Sequence, residues 1–482
     1  MCFDFSLRIL QAQAIINVLH FSPNSSPIII ATITNMFKKL SRYPFLMFLP
    51  FLFYYAYVIV HNRQGGLHGD EIRYVNFADH LIHGFYSPPQ PFISLWNGPG
   101  YPILLMPFGW WHIAPLYQTL TNALFMYLAV VFLYKLLRLV CNTKTAFILS
   151  LLLAIYPNAL AMLPLLYTET LTTLLVSVFI YTTGLYYVQG KKGYGIVAGL
   201  ILGFLVLTKI IFGYVIIISA GILILAMAIK KRRGNYLKAI KVLSIAFVIT
   251  LPYLFYTWHI TGRVFYWGNS GGMSLYWMST PYDNEFGDWK VPDLSNTQYP
   301  TQFRSREADS LLKSNHTKDI AYINRHANNI TQDDLYKQIA IQNIKSHPVK
   351  FIKNCINNIS RMLFNFPYSY SSQDAGIGRS IVIGSSILWA SIIALILTLI
   401  NWRNIAFVVK FLLLTTAVYL LLSTVLSAYP RQLDVVVPVL LFWFGYLAQR
   451  VKNIKPKFKD EGDLDEISLA QLTGNGVEIP EA

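Results

Sequence analysis

Charge is scarce in this sequence. Of 482 residues only 13% are Asp, Glu, Lys or Arg, against roughly 25% in soluble globular domains. With 54% hydrophobic residues, that deficit excludes an ordinary soluble protein and points to an integral membrane protein. Cysteine is scarcer still. Cys2, Cys141 and Cys355 lie far apart, which excludes a disulfide framework and any zinc-type spacing. No glycine-rich GxGxxG or P-loop stretch occurs in a strand-to-helix context, so a nucleotide site has no basis here. Nor is there an internal repeat of the kind that marks inverted-repeat transporters. The formal net charge of +16 does not indicate nucleic acid, because the basic residues fall in short clusters between apolar runs. That is the positive-inside pattern of membrane proteins.

What is present is a series of apolar runs, each near the 20 residues that a spanning helix needs. They lie at about 43–61, 101–140, 145–165, 168–188, 195–208, 211–229, 239–258, 381–400, 404–426 and 433–449. The expected fold is all-α and membrane-embedded, with about ten spans. The two runs flanking Lys209 are also compatible with one kinked hairpin. Basic clusters occupy every second connection: Lys38, Lys39 and Arg42; Lys135, Arg138 and Lys144; Lys191 and Lys192; Lys230 to Arg233; Arg403; and Arg450 to Lys457. Both termini are therefore expected in the cytoplasm.

The expected organisation has three parts. Residues 1–35, interrupted by Pro23 and Pro27, read as an N-terminal extension, with Met36 as the better start. Residues 36–450 form the polytopic membrane domain, and 451–482 a polar cytoplasmic tail. Two long connections, about 62–100 and 259–380, face outside in this topology. The second ends in YKQIAIQNIKSHPVKFIKNCINNISRMLFNF. Ile339, Ile341, Ile344, Val349, Phe351, Ile352 and Ile356 there suggest helices with one apolar face, broken at Pro348 and suited to the membrane surface.

The few charges on the outer side carry the chemical interest. HGDE, His68 to Glu71, places two carboxylates just after the first run. They can be a solvated pair at a helix start near Ile72. They can also hold a general base whose basicity is raised by partial desolvation. WNGPGYP, Trp96 to Pro102, is a turn leading into a helix. Glu169 in LLYTETLTTLL stands at the start of the fourth span, where a helix N-terminus favours an anion. Lys209 in VLTKIIFGY and Arg431 in SAYPRQLDVVVP break the positive-inside bias. Each can snorkel to the interface, or the two can hold a phosphate.

HGDE, NGPGYP, YTETL, TK and YPRQLDVVVP, in this order and joined by the SHP-containing helix, resemble the family 39 and family 83 glycosyltransferases. These are the protein O-mannosyltransferase and lipid A aminoarabinose transferase relatives of the polyprenyl-phosphate-dependent C-type superfamily. The resemblance covers about 36–450 and implies glycosyl transfer from a sugar-carrying polyprenyl phosphate to a lipid, glycan or protein acceptor on the outer face of the cell membrane. It implies Asp70 and Glu71 as the catalytic pair, with Asp70 as the base and Glu71 as the second acid beside it. It implies Lys209 and Arg431 on the donor phosphate, and Glu169, Asn97 and Tyr101 at the cavity or acceptor. No cofactor is required by the motifs. A divalent metal near His68, Asp70 or Glu169 is compatible with them but not demanded by their spacing. Two departures stand out. Trp96 and Asn97 occupy a place where many relatives carry a charge, and Gln432 follows Arg431 where an aromatic is frequent. The alternative function is a transporter or lipid flippase, which requires charges within the spans rather than at their ends.

Overall fold

The computed structural model describes residues 39–229, 233–290, 306–370 and 377–452. The expected extension at 1–35, the start at Met36, Arg232 and the tail beyond 452 lie outside them. The chain divides into two compact units, Met1–Leu49 and Pro50–Ala482. Of the first, the described residues form a short turn and the beginning of helix α1 (Pro44–Asn62), which continues into the second.

The second unit is helical throughout its described residues, with no β-strand among them. After α1 come α2 (Asp70–Ile82), α3 (Gly100–Trp110), α4 (Pro115–Leu137), α5 (Thr143–Ala154), α6 (Pro157–Met162), α7 (Glu169–Gln189), α8 (Lys192–Thr208), α9 (Ile211–Ile229) and α10 (Gly234–Thr261). Then follow α11 (Gly271–Met278), α12 (Arg306–Asn324), α13 (Asn329–Ser346), α14 (Pro348–Phe364), α15 (Ile377–Ile400), α16 (Phe407–Val425), α17 (Pro430–Asp434) and α18 (Val437–Lys452).

Among the described residues seven helices, α1, α4, α7, α9, α10, α15 and α16, are long and apolar enough to cross a membrane. The expected count of ten exceeds this because three of the apolar runs give shorter helices: α5, α8 and α18. The run at 101–140 is not one span. It breaks after Trp110, and Pro115 starts the next helix as a proline suits a first turn. The run at 145–165 likewise breaks at Pro157. The runs around Lys209 form two helices, with Lys209 itself in extended backbone at the end of α8.

Small residues set the packing of the bundle. A side chain at Gly199 or Gly203 of α8 would come within 2.6 or 2.7 Å of Ile245 or Ile249 on α10. Glycine lets the two backbones approach, as is common where van der Waals contact rather than hydrophobic burial drives helix association.

The long connection after α10 is a folded layer rather than a loop. Tyr276 and Trp277 of α11, Leu312 and Ile323 of α12, Tyr336 and Ala340 of α13, and Tyr370 form its core. Helix α14 follows the expected break at Pro348 and has an inverted character. Val349, Ile352, Ile356 and Ile359 form an exposed stripe, while Asn354, Asn358 and Arg361 are fully buried. An outward apolar stripe of this kind suits a helix lying in a membrane interface.

The buried polar side of α14 grips the chain that leads into α17. Asn358 Nδ2 donates to the carbonyls of Ser423 (3.1 Å), Thr424 (2.9 Å) and Leu426 (2.6 Å). Its Oδ1 accepts from the Ala428 N–H at 3.0 Å. Arg361 adds bonds to the carbonyls of Ala428 (3.0 Å) and Pro367 (2.8 Å). Removing a buried partner strands the groups it satisfied, at about 1–3 kcal/mol per group. Asn358→Ala is therefore expected to lower the thermal unfolding midpoint of the detergent-solubilised protein clearly. An unchanged midpoint, read by intrinsic tryptophan fluorescence, would contradict this reading of the α14 contact.

Candidate active site

Four charged residues from four separate segments meet where α2 and α7 begin and α8 ends. Asp70 opens α2, and Glu169 opens α7. Lys209 follows α8, and Arg431 lies in the short α17. Arg431 Nη1 bonds Asp70 Oδ2 at 2.9 Å and lies 4.0 Å from Glu169 Oε1. Lys209 Nζ bonds the same Glu169 oxygen at 3.2 Å. Arg73, one turn after Asp70, pairs with the other Asp70 oxygen. The result is a row of alternating sign: Arg73, Asp70, Arg431, Glu169, Lys209.

Each member of the row is held by its own local structure. The NGPG turn packs on the end of α8. A side chain at Gly98 would lie 2.0 Å from the Leu207 carbonyl oxygen, and one at Gly100 would lie 2.6 Å from Thr208 Oγ1. Only glycine allows that approach, which places the turn beside Lys209. Asn122 of α4, wholly buried, donates to the carbonyls of Leu163 (3.0 Å) and Leu165 (2.7 Å). It accepts from Thr170 at 2.8 Å, next to Glu169.

The two acids of HGDE have different surroundings. Glu71 is 1% exposed. Its Oε1 accepts from Arg63 (3.0 Å) and from the Leu166 N–H (2.7 Å), and its Oε2 from the His68 N–H (2.9 Å). Arg63 also donates to the Pro164 carbonyl at 2.8 Å. This carboxylate ties the segments before α2 and before α7 together. Asp70 instead faces the arginines. Burial alone pushes its carboxyl pKa up, but Arg431 and Arg73 outweigh that and hold it down at about 2.

The aromatic and amide residues of the site sit behind this row. Asn97 Nδ2 donates to the Tyr74 hydroxyl at 3.0 Å, and the Tyr86 hydroxyl donates to the Asn97 carbonyl at 2.7 Å. Tyr101 is fully buried, packed edge-on against Tyr74 at 5.2 Å, and its hydroxyl has no partner. So Asn97 and Tyr101 back the charge row, Asn97 half-buried and Tyr101 fully enclosed. His68 does not join the carboxylates: its Nε2 is 3.0 Å from the Gly65 carbonyl oxygen. Among the described residues no group of three His, Cys, Asp or Glu side chains forms a metal-ligand set, so the three metal candidates do not come together. Sequence reasoning missed Arg63, Arg73, Asn122, Asn358 and Arg361. Their signal was present only as polar residues within or beside apolar helices, and such residues mark buried partners by default.

An all-α membrane protein with an alternating row of charges at one end of its helices is the class that fold and site define. Comparison with known proteins adds the following likenesses. Residues 117–256 match the family described as dolichyl-phosphate-mannose-protein mannosyltransferase, which is the side of the resemblance already drawn from the motifs. No curated protein matches significantly. Among solved structures, the archaeal oligosaccharyltransferase AglB from Archaeoglobus fulgidus, in complex with an inhibitory peptide and a dolichol-phosphate, aligns with a TM-score of 0.46 at 14% identity. It covers 88% of this chain and 53% of that one. ArnT from Cupriavidus metallidurans bound to undecaprenyl phosphate aligns with a TM-score of 0.37 at 14% identity, covering 84% and 79%. This chain spans about half the length of the oligosaccharyltransferase.

The different surroundings of the two acids give a test. Breaking a buried ion pair from one side costs roughly 3–5 kcal/mol, so Glu71→Gln should lower the melting temperature more than Asp70→Asn. Asp70 has a folded pKa below its unfolded value of about 3.9. Its contribution to stability is thus complete above about pH 4 and is lost as the pH falls towards 2. Asp70→Asn should flatten the stability profile in that window and leave it unchanged at neutral pH apart from an offset. A melting curve of Asp70→Asn with the same acid limb as wild type would remove Asp70 from this account.

Proposed function

We propose that this chain is a membrane glycosyltransferase. It moves a sugar from a polyprenyl-phosphate donor to a lipid, glycan or protein acceptor on the outer face of the cell membrane. The observation that carries this reading is the convergence of Asp70, Glu169, Lys209 and Arg431, spread over 361 positions, into one row of ion pairs. The matched family supports it, since its description names a dolichyl-phosphate-linked mannose. The basic clusters at Arg138, Lys144, Lys191 and Lys192 lie at the ends of α4, α5, α7 and α8 away from Glu169 and Lys209. Positive-inside bias then assigns the charge row to the outer side.

A sugar on a lipid phosphate is already activated, because the phosphate is the leaving group. The protein has to take a proton from the acceptor and stabilise charge on the departing phosphate. Asp70 serves as base, and Arg431 and Lys209 bind the phosphate. Arg431 can bond two oxygens through its planar fork, while Lys209 acts as a point charge. With both arginines on it, Asp70 is a weak base. A phosphate that bonds Arg431 competes with Asp70 for that guanidinium, and each bond it takes raises the basicity of Asp70. Donor binding and base activation are then one event. Glu169 keeps Lys209 and Arg431 in place, and Glu71 positions the α2 start without acting on substrate.

Removal of a general base usually costs roughly 10²–10⁴-fold in rate, and Asp70→Asn should lose transfer on that scale. Arg431→Lys should be harmful although the charge remains, because the fork is lost. Lys209→Met should weaken donor use. The double variant of Lys209 and Arg431 should be less than additive, since both cations share Glu169 and one ligand. Donor-dependent transfer by purified protein, with mass spectrometry of envelope glycans in cells with and without the chain, measures all four. Normal turnover by both single cation variants would leave structural ion pairing with Asp70 and Glu169 as the better account of Lys209 and Arg431.

A further inference from the structure

The donor-phosphate reading rests on two cations, Lys209 and Arg431, but two carboxylates already neutralise them. Asp70 and Glu169 take one charge each. A site of two cations and two anions offers an incoming phosphate no net attraction. The row does not end there, however. Arg73 occupies its open end and pairs with the Asp70 oxygen that Arg431 leaves free. Three cations and two carboxylates leave one positive charge in excess. A sugar-linked polyprenyl phosphodiester carries one negative charge, so it would bring this row to neutrality.

Arg73 is also built to present donors. Its guanidinium carbon lies 4.8 Å from the centre of the Trp96 ring, a separation at which a cation is held over an aromatic face. Trp96 thus holds the guanidinium by its ring face, a contact that uses none of the N–H groups. One Nη2 bond goes to Asp70. The Nε–H is buried and has no partner among the described residues. An arginine has five N–H donors in a rigid fork, and a buried N–H without an acceptor is costly. Arg73 therefore has donors to spare on an already ordered side chain, beside the one carboxylate that it shares with Arg431. Two guanidinium groups flank Asp70, one on each oxygen, so an anion that binds Arg431 next to Asp70 is also within the field of Arg73.

We propose that Arg73, stacked on Trp96, is a third cation of the donor-phosphate site and supplies the net positive charge that draws a monoanionic phosphodiester into it. This rests on the phosphate-binding reading of Lys209 and Arg431. Trp96 acts through Arg73 and is a positioning residue.

The test measures binding of farnesyl phosphate and of farnesol, a charged and an uncharged short polyprenyl probe, to full-length protein in detergent. Wild type, Arg73→Gln, Trp96→Leu, Lys209→Met, Asp70→Asn and the Asp70→Asn/Arg73→Gln double variant are compared, each checked by thermal unfolding. A lost bond to a charged group corresponds to about tenfold or more in affinity. Arg73→Gln should weaken farnesyl phosphate on that scale and leave farnesol unaffected. Trp96→Leu should give a smaller loss of the same kind. Asp70→Asn removes a competing anion and should strengthen farnesyl phosphate binding, and adding Arg73→Gln should again weaken it. If Arg73→Gln has an effect only while Asp70 is present, Arg73 merely props that carboxylate and the proposal is overturned. If Arg73→Gln binds as wild type while Lys209→Met loses the phosphate probe, the proposal is overturned and the two-cation site stands. If the phosphate probe binds wild type no better than farnesol, the phosphate-binding reading itself falls, and the Arg73 proposal with it.

Discussion

The ion pair between Asp70 and Arg431 joins residues 361 positions apart, and the arrangement of this end of the molecule follows from it. Charges at the edge of an apolar bundle are tolerable only when paired. Here pairing is serial: Arg73, Asp70, Arg431, Glu169 and Lys209 each touch a neighbour of opposite sign. Such a row cannot tolerate the displacement of one member without stranding the next. Every segment that contributes a charge is accordingly anchored by a second, uncharged or fully satisfied polar contact behind it. Glu71 with Arg63 fixes the start of α2, Asn122 fixes the approach to α7, the NGPG turn fixes the end of α8, and Asn358 with Arg361 fixes the strand of chain before α17.

This separates two kinds of polar residue that look alike in the sequence. Asp70 and Glu71 are adjacent carboxylates in one motif, yet Glu71 has three donors and almost no exposure, while Asp70 shares its two oxygens between arginines at the row. The difference arises from helical geometry. Successive residues at a helix start point about 100° apart, so one acid faces the loop before α7 and the other faces α17. A motif of two acids is thus split into one enclosed carboxylate and one that faces the charge row, and the split is imposed by the backbone rather than by the side chains.

Much of the fold was legible in the sequence. The apolar runs located each helix long and apolar enough to span among the described residues, though not the polar α12, and Pro348 marked the break between α13 and α14. The errors came from run length. Hydropathy cannot see that Trp110 to Ala114 is a turn, because its residues are mostly apolar, nor that Pro157 cuts a run short. The charges that depart from positive-inside bias, Lys209 and Arg431, were legible as unusual, and they do meet through Glu169. Arg73 was not, because an arginine near a DE pair reads as an ordinary solvated charge until the fold lays Trp96 beneath it. Asn358 and Arg361 were hidden for a related reason. Their helix was read by its apolar residues, and in α14 those residues face outward.

The inversion of α14 links membrane position to the site. A helix whose apolar stripe faces out can settle at a depth set by the interface. Its other side carries Asn354, Asn358 and Arg361, which bond backbone carbonyls beyond the helix: Met278 and Thr280 in the folded layer, then Ser423, Leu426 and Ala428 before Arg431. Backbone acceptors fix position without depending on the identity of the residues they belong to. The helix with the outward apolar stripe is therefore also the one that holds the chain before Arg431, and through the Arg431–Asp70 pair it is tied to the charge row. For a lipid substrate depth is the coordinate that matters, because the phosphate of a membrane-anchored donor is confined to a narrow layer at the hydrocarbon boundary. A site of the proposed kind has to be registered to that layer, and α14 joins its apolar stripe to the chain that carries Arg431.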